Sequence, residues 1–485
     1  MPSASHPSLS SALASIEEQF DLSKIKLQGI LDRFRERMVY GLQNHGAAMA
    51  MIPSYVTGTP DGSEKGVYLA LDLGGTNLRV CEVTLGGEGK VSMKQEKYKV
   101  SDQLKTGPVE NLFDYIAASV AKFLKDFSSA APQNPQDGPL LMGFTFSFPV
   151  EQTAIDRGTL ISWTKGFSCP GAVGLEVVQL LQGCLDRQHV PVRVNALVND
   201  TVGALLAHAY HAKGALLGAI FGTGTNGAYV EAVERIGKMN AAHAHGEETM
   251  IINTEWGGFD DERAALLITL FDNTVDRTAI RPRHHAFEKM ISGMYLGEVV
   301  RTVLIHLVDS LHLFQGFSSE LLNKQYGFDT AYVSAVLADK KPSNSADSPT
   351  RLVLVDTLGI KAEHVAEGDV ETVKAVCKIV GRRAARLSSV AIAATLQHTG
   401  HDQHRGGAEL QESDYIDIGC DGSVYEFLPY FEEWVREALR DLVGEGAEKR
   451  VRMALAKDGS GVGAALCALQ AKKQHDRMLA RSNTI

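Results

Sequence analysis

Apolar positions in this chain recur with two periods. In residues 23–44 they fall at helical spacing (Ile25, Leu27, Ile30, Leu31, Phe34, Met38, Leu42), which predicts a surface-packed amphipathic helix. Residues 69–77 and 219–227 are instead short apolar runs that end abruptly in Gly, Thr and Asn. Each is followed by a second run of β character, residues 78–85 and 228–233, so each predicts a strand, a tight turn and an antiparallel strand. Glycine lets backbone N–H groups converge on an anion, and Thr and Asn add side-chain donors. Two near-copies of one hairpin predict a duplicated domain whose halves face each other across a phosphate.

The rest of the pattern alternates strands with helices, which makes the fold class α/β. A strand is expected over 140–148 after a polar loop at 128–138, and residues 60–66 read as a linker. An apolar segment hands over to Asn199 and Asp200 before a helix over 202–211. Residues 373–397 form a long helical pattern with a basic start (Lys374, Lys378, Arg382, Arg383, Arg386), read mainly as a solvated face. A third glycine turn, 418–424, follows a strand-like segment at 414–418, and a fourth, 458–463, opens a helix over 464–473. Residues 339–350 are expected to be a mobile polar loop and 398–409 another loop. His398, His401 and His404 lack carboxylate or thiol support there and read as solvated, as do His284 with His285 and His243 with His245. The first two glycine turns join strands, whereas a Walker-A loop or dinucleotide fingerprint would lead into a helix.

At 485 residues the chain has room for two or more domains. A formal charge of -10 argues against a nucleic-acid partner. Six scattered cysteines without a CxxC pair read as reduced thiols. Residues 1–20 lack the apolar core of a signal peptide, and no run approaches membrane-spanning length, so a cytoplasmic protein with no membrane partner is expected.

Candidate chemistry sits at the turns. Asp72 precedes Gly74 and Gly75, where a carboxylate can hold magnesium, directly or through water, while the amides hold its phosphates. The bland alternative is a turn cap. Asp200 stands at an expected strand end, a usual address for a catalytic carboxylate, with a helix N-cap as the alternative. The amides of the 459–463 turn suit an anion or a nucleotide's polar edge, unless the glycines serve close helix packing. Polar islands at 162–167, 253–257 and 287–290 add donors (Thr164, Lys165, with Asn199 and Asn226) and acceptors (Glu255, Glu288, with Asp200). A neutral polyol, each hydroxyl needing both a donor and an acceptor, would demand such a mixture.

These residues together resemble one family. LDLGGTNLRV (71–80), GFTFSFP (143–149), LISWTKGF (160–167), NDTVGAL (199–205), FGTGTNGAY (221–229), INTEWGGF (252–259), FEKMISGMYLGE (287–298), CDGSVYE (420–426) and AKDGSGVGAALCAL (456–469) are similar to the boxes of eukaryotic hexokinases, most of all fungal glucokinases. The resemblance implies an actin-like, ribonuclease-H-like α/β fold with a duplicated core and two domains closing on a sugar. It implies a small domain of residues 62–200 with 458–475 and a large one of 10–57 with 201–457. The implied reaction is ATP-dependent phosphorylation of glucose at the 6-hydroxyl, the first step of glycolysis, with magnesium entering as MgATP and Asp200 as general base. Thr164, Lys165, Asn199, Asp200, Asn226, Glu255 and Glu288 correspond to the glucose shell. Asp72, Gly74, Gly75, Thr76 and Asn77 correspond to the first phosphate loop, and Thr223, Asp421, Gly422 and Ser423 to other ATP-contacting loops. Gly459, Ser460 and Gly461 fall in the adenosine box, and Lys97 matches a nucleotide-contacting lysine. A monomer or homodimer is expected. Broad-specificity fungal hexokinases carry Ala-Ser where this chain has Val150-Glu151, which favours the glucose-preferring branch, and no sugar contact is carried over to Glu151. The rivals are a broad-specificity hexokinase also acting on mannose and fructose, and an actin-like nucleotide switch or sugar sensor. A switch would not need the polar islands.

Overall fold

The structure is a computed structural model, and it describes residues 8–128, 138–164, 166–240, 246–403, 410–456 and 458–482. After β1 (Ile52–Pro53), the first predicted hairpin forms from β2 (Lys65–Leu73) and β3 (Asn77–Gly87), with β4 (Lys90–Lys99) extending it antiparallel. β5 (Leu140–Phe146), a separate ribbon of β6 (Val150–Ala154) and β7 (Arg157–Leu160), and β8 (Val192–Val198) follow. β5 and β8 join in parallel, giving the sheet order β4-β3-β2-β5-β8.

The second half repeats this plan. β9 (Leu217–Phe221), β10 (Thr225–Ala232) and β11 (Thr249–Asn253) form an antiparallel meander, and β12 (Ile416–Asp421) and β13 (Val451–Leu455) add in parallel. The order is β1-β11-β10-β9-β12-β13, so without its edge strand β1 the second sheet matches the first in order and sense. The duplication expected from the two hairpins is present.

β2 is covered on both faces, which is why its sequence reads as a continuous apolar run rather than an alternation. Leu69, Leu71 and Leu73 join a cluster with Leu112, Phe113 and Ile116 of the helix Val109–Asp126, while Ala70 joins Leu466 and Cys467 in another. The final helix of each half crosses to the other half. Asp200–Ala212 follows β8 yet packs on β9, β10 and β12; Ala464–Ser482 follows β13 yet packs on β2, β5 and β8. The segments meet at glycine, since a Cβ on Gly463 would lie 2.2 Å from the Gly203 carbonyl oxygen.

The amphipathic helix spans Lys24–Gln43 and buries Leu27, Ile30, Leu31, Phe34, Met38 and Leu42, leaving Ile25 to solvent. The long basic helix spans Glu367–His398; Lys378 and Arg382 are solvated as expected, whereas Arg383 and Arg386 are not. Arg383 is buried and grips Asp272 with both terminal nitrogens at 2.7 and 2.6 Å. Arg386 reaches the Leu22 carbonyl and Asp441, both at 2.9 Å. This helix lies in the core of the second lobe, where a charge must be paired to be tolerated.

Burial and pairing also act in two other segments. Within the polar loop 339–350, buried Asp339 accepts from Ser348 Oγ at 2.5 Å, Thr350 Oγ1 at 2.7 Å and the Lys341 amide at 2.9 Å. His398 is not solvated: it ends its helix with Nε2 2.5 Å from Glu231 Oε2, an oxygen that Tyr229 Oη also approaches at 2.5 Å. His243, His245 and His404 lie outside the described residues. Among the described residues, no helix is long and apolar enough to cross a membrane.

Candidate active site

The register of the first hairpin sets Asp72 opposite Arg79, two positions back from the turn. Arg79 Nη2 lies 3.4 Å from Asp72 Oδ2, its Nη1 lies 2.8 Å from Asp458 Oδ1, and it donates to Ser460 Oγ. Ser460 is held in turn by Thr145, whose Oγ1 donates to its carbonyl at 3.0 Å. Asp421 ends β12 close by. Burial pushes its carboxyl above the ordinary range and the Asp458 charge adds to this, while its hydrogen bond to the Gly422 amide and the Arg79 charge oppose it. Lys97 lies across from Arg79 on β4 and is exposed, at the rim of this charged group. A Cβ on Gly422 would lie 2.6 Å from the Phe221 carbonyl, so the third turn rests on the second. Thr223 and Ser423, from those two turns, are both exposed. The four glycine turns expected from the sequence are therefore contiguous.

Not every predicted donor in these turns points outward. The Gly74 amide donates to the Asn77 carbonyl at 3.0 Å, and the Gly461 amide donates to Asp458 Oδ1 at 3.2 Å. Both amides shape their own turns. Gly75 and the exposed Thr76 and Asn77 form the tip, where the Asn77 side-chain amide donates to Thr76 Oγ1 at 3.1 Å. Gly459 meets the alternative reading, close packing, since a Cβ there would lie 2.8 Å from Ala204 Cα.

A second group gathers at the other hairpin. Asn226 Nδ2 donates to Asn253 Oδ1 at 2.8 Å and to Glu255 Oε1 at 3.3 Å; Asn253 Nδ2 donates to the same Glu255 oxygen at 2.8 Å. Thr254 Oγ1 donates to the Gly227 carbonyl at 2.8 Å, tying that strand end down. Burial pushes the Glu255 carboxyl above its ordinary value; the Asn253 amide pulls it down, and the Asp200 and Glu288 charges push it up again. Asp200, Glu255 and Glu288 thus share one electrostatic neighbourhood. Glu288 Oε2 accepts the Thr225 amide at 3.0 Å, and a Cβ at 224 would lie 2.7 Å from that oxygen, so a side chain there would push the carboxylate aside.

The strand-end position expected for Asp200 is corrected by one step. β8 stops at Val198, Asn199 is the N-cap, and Asp200 is the first residue of the helix. Asn199 Oδ1 accepts the Thr201 amide at 2.9 Å and Thr201 Oγ1 at 2.5 Å, so Asn199 supplies the cap expected of this pair. Asp200 Oδ1 also accepts the Thr201 amide at 2.9 Å. Thr164 sits on the first lobe, in a loop braced by Trp163, Phe148 and Phe167, with its carbonyl accepting the Phe167 amide at 3.0 Å. Among the described residues, no hydrogen bond joins Thr164 to the Asn226, Glu255 and Glu288 group, and Lys165 lies outside the described residues.

Sequence reasoning missed Arg79, Asp458, Asn253 and His285. The hairpin pairing could have found Arg79, because strands meeting at a four-residue turn set 72 opposite 79. His285 is solvent-exposed, as expected, and its Nδ1 also stands 3.2 Å from Glu288 Oε1.

Two family profiles, each described as Hexokinase, match residues 12–210 and 216–470. The chain is 41% identical to a glucokinase of Aspergillus niger, over 97% of this chain and 99% of that protein. It is 38% identical to glucokinase-1 of Saccharomyces cerevisiae, over 95% of this chain and 97% of that one. Among solved structures, a hexokinase from Schistosoma mansoni complexed with glucose superposes with a TM-score of 0.80 at 37% identity, covering 96% of this chain and 99% of that one. The two-lobed α/β architecture is common to both.

Proposed function

The chain belongs to the hexokinase family, and from that premise we propose that it moves the γ-phosphoryl group of MgATP onto the 6-hydroxyl of glucose. What supports this division of labour is the pairing of one charged turn cluster (Asp72, Arg79, Asp458, Asp421) with one acceptor-rich cluster (Asp200, Glu255, Glu288). Asp200 accepts the proton of the 6-hydroxyl as its oxygen attacks the γ-phosphorus. The bond from that phosphorus to the β-γ bridging oxygen breaks, and ADP leaves. Glu255 and Glu288 accept from sugar hydroxyls, while Thr164, Lys165 and Asn199 donate to them, and Asn226 donates once a hydroxyl replaces Glu255, its longer partner at 3.3 Å. Asp72 holds the magnesium of MgATP, directly or through water. The Gly75, Thr76 and Asn77 tip, Thr223 and the Gly422–Ser423 turn face its phosphates, and Ser460 and Lys97 lie along the nucleotide. Arg79 bridges Asp72 and Asp458 beside that polyanion.

Phosphoryl transfer asks little covalent chemistry of a protein, so positioning and charge stabilisation supply most of the acceleration. Water competes with the sugar for the phosphoryl group. We place the safeguard in closure of two units, residues 62–200 with 458–475 against 10–57 with 201–457, about the seam where Gly203 meets Gly463. Turnover with MgATP and glucose, mannose, fructose or galactose tests the reading. Glucose is expected to give the highest kcat/KM. Equal use of mannose and fructose would move the chain to the broad-specificity branch, and no turnover with any hexose would overturn the reading.

A further inference from the structure

His285 enters none of these steps, yet it stands at the half-exposed edge of the sugar-side group. Glu288 is clamped at both carboxylate oxygens: Oε2 accepts the Thr225 amide at 3.0 Å, and Oε1 lies 3.2 Å from His285 Nδ1. One donor is permanent and the other can titrate. The backbone that presents the imidazole is fixed, with His285 in the left-handed region at φ 57° and the next amide, Ala286, donating to Asp261 Oδ1 at 2.8 Å. Histidine is among the residues that tolerate this conformation. Around the ring stand Glu288 on the following helix, Asp261 on the preceding loop and Glu255 beyond β11, with Asp200 next to Glu255. His284 shares Asp261, its Nδ1 3.9 Å from Oδ2, and Lys289 on the same helix is committed to Asp276 at 2.7 Å.

We propose that His285 is a positioning residue for sugar recognition, its protonated imidazole donating Nδ1–H to Glu288 Oε1 and so holding that carboxylate aimed at a sugar hydroxyl. The inference rests on the placement of Glu288 on the sugar. A charge-assisted hydrogen bond is shorter and about twice as strong as a neutral one. The neutral ring either donates without that assistance, which weakens its hold on Glu288, or turns its lone pair toward the carboxylate, which releases it. The hydrogen bond to Glu288 raises the imidazole's pKa above its ordinary value; burial opposes this, and the charges of Glu288, Asp261 and Glu255 add to it. The imidazolium is therefore present below this raised pKa and is lost as pH climbs through it. Sugar affinity is greatest on the acid side of that step and falls on the alkaline side. By linkage, bound glucose raises the His285 pKa further.

The test is glucose KM, ATP KM and kcat between about pH 6 and pH 9, a window that brackets histidine titration, for the full chain and for His285→Gln, His285→Ala and Glu288→Gln. The parent's glucose KM is expected to rise about fivefold across the step, the difference between a charged and a neutral hydrogen bond, with ATP KM flat. His285→Gln, which keeps a neutral donor, loses the step and lies near the parent's alkaline value; His285→Ala lies above it. A histidine-ring NMR titration with and without glucose reads the same coupling and serves if the Ala variant fails to fold. Superimposable glucose profiles for the parent and both His285 variants, with Glu288→Gln still raising glucose KM, overturn this inference alone. An unchanged glucose KM in Glu288→Gln overturns the placement of Glu288 on the sugar, and the inference with it.

Discussion

The β2–β3 and β9–β10 hairpins share strand sense, sheet position and a glycine turn, and they part company two positions back from it. In the first hairpin the pair there is Asp72 opposite Arg79. In the second it is Ile220 opposite Asn226. The charged pair extends into a network with Asp458 and Asp421, suited to a magnesium-bound polyanion. The amide extends into Asn253 and Glu255, suited to hydroxyls that both give and take hydrogen bonds. A duplicated backbone thus supplies two corresponding turns, and one register position gives them different chemistry.

The comparison is broken most severely at the carboxylate that belongs to neither hairpin. Asp200→Ala is expected to lower turnover by about 10²–10⁴-fold, the usual contribution of a general base, while calorimetry still detects glucose binding. Near-parental turnover would remove Asp200 from the role. On the sugar side, Glu255→Gln keeps the shape and removes an anionic acceptor. With roughly 1.5–3 kcal/mol at stake, glucose KM should rise at least tenfold and ATP KM should hardly move. A shift confined to ATP KM would erase the division between the hairpins.

On the nucleotide side the effect should be smaller, because Arg79 and its partners are partly open to solvent. Arg79→Met is expected to raise the KM for MgATP by about fivefold, on the order of 1 kcal/mol for a partly screened pair, with glucose KM unchanged. Varying both substrates checks it. The smallest signal is geometric. A sugar that touches Thr164 on one lobe and Glu255 on the other has differential affinity for a closed state, and only that difference can shift the population. Small-angle scattering should show a smaller radius of gyration with saturating glucose, and an unchanged radius alongside confirmed binding would count against a hinge.

Much of this was legible in the chain because it is local. An apolar run that stops at glycine specifies a strand and its turn through neighbours alone, so both hairpins and the α/β class follow from pattern. Apolar spacing likewise located the helix Lys24–Gln43 and most of its buried face. The handover at Asn199 and Asp200 was legible to within one residue. Which of the two would cap the helix depended on whether the Asn199 side chain met the Thr201 amide, and it does.

Tertiary structure decided where charge goes. Arg383 read as solvated because its partner Asp272 lies 111 positions away, and Arg79 went unremarked because Ser460 lies 381 positions away. Gly459 and Gly463 could equally have served a ligand or a packing contact, and the approach of Gly203 and Ala204 assigned both to packing. The amides of Gly74 and Gly461 likewise proved to be engaged within their own turns. The sequence by itself determined elements, their order and the inventory of donors and acceptors, since backbone preference and burial pattern act between neighbours along the chain. Only the folded chain determined which of those groups meet, since Coulomb attraction and hydrogen bonding act over a few ångströms in space, whatever the distance along the chain.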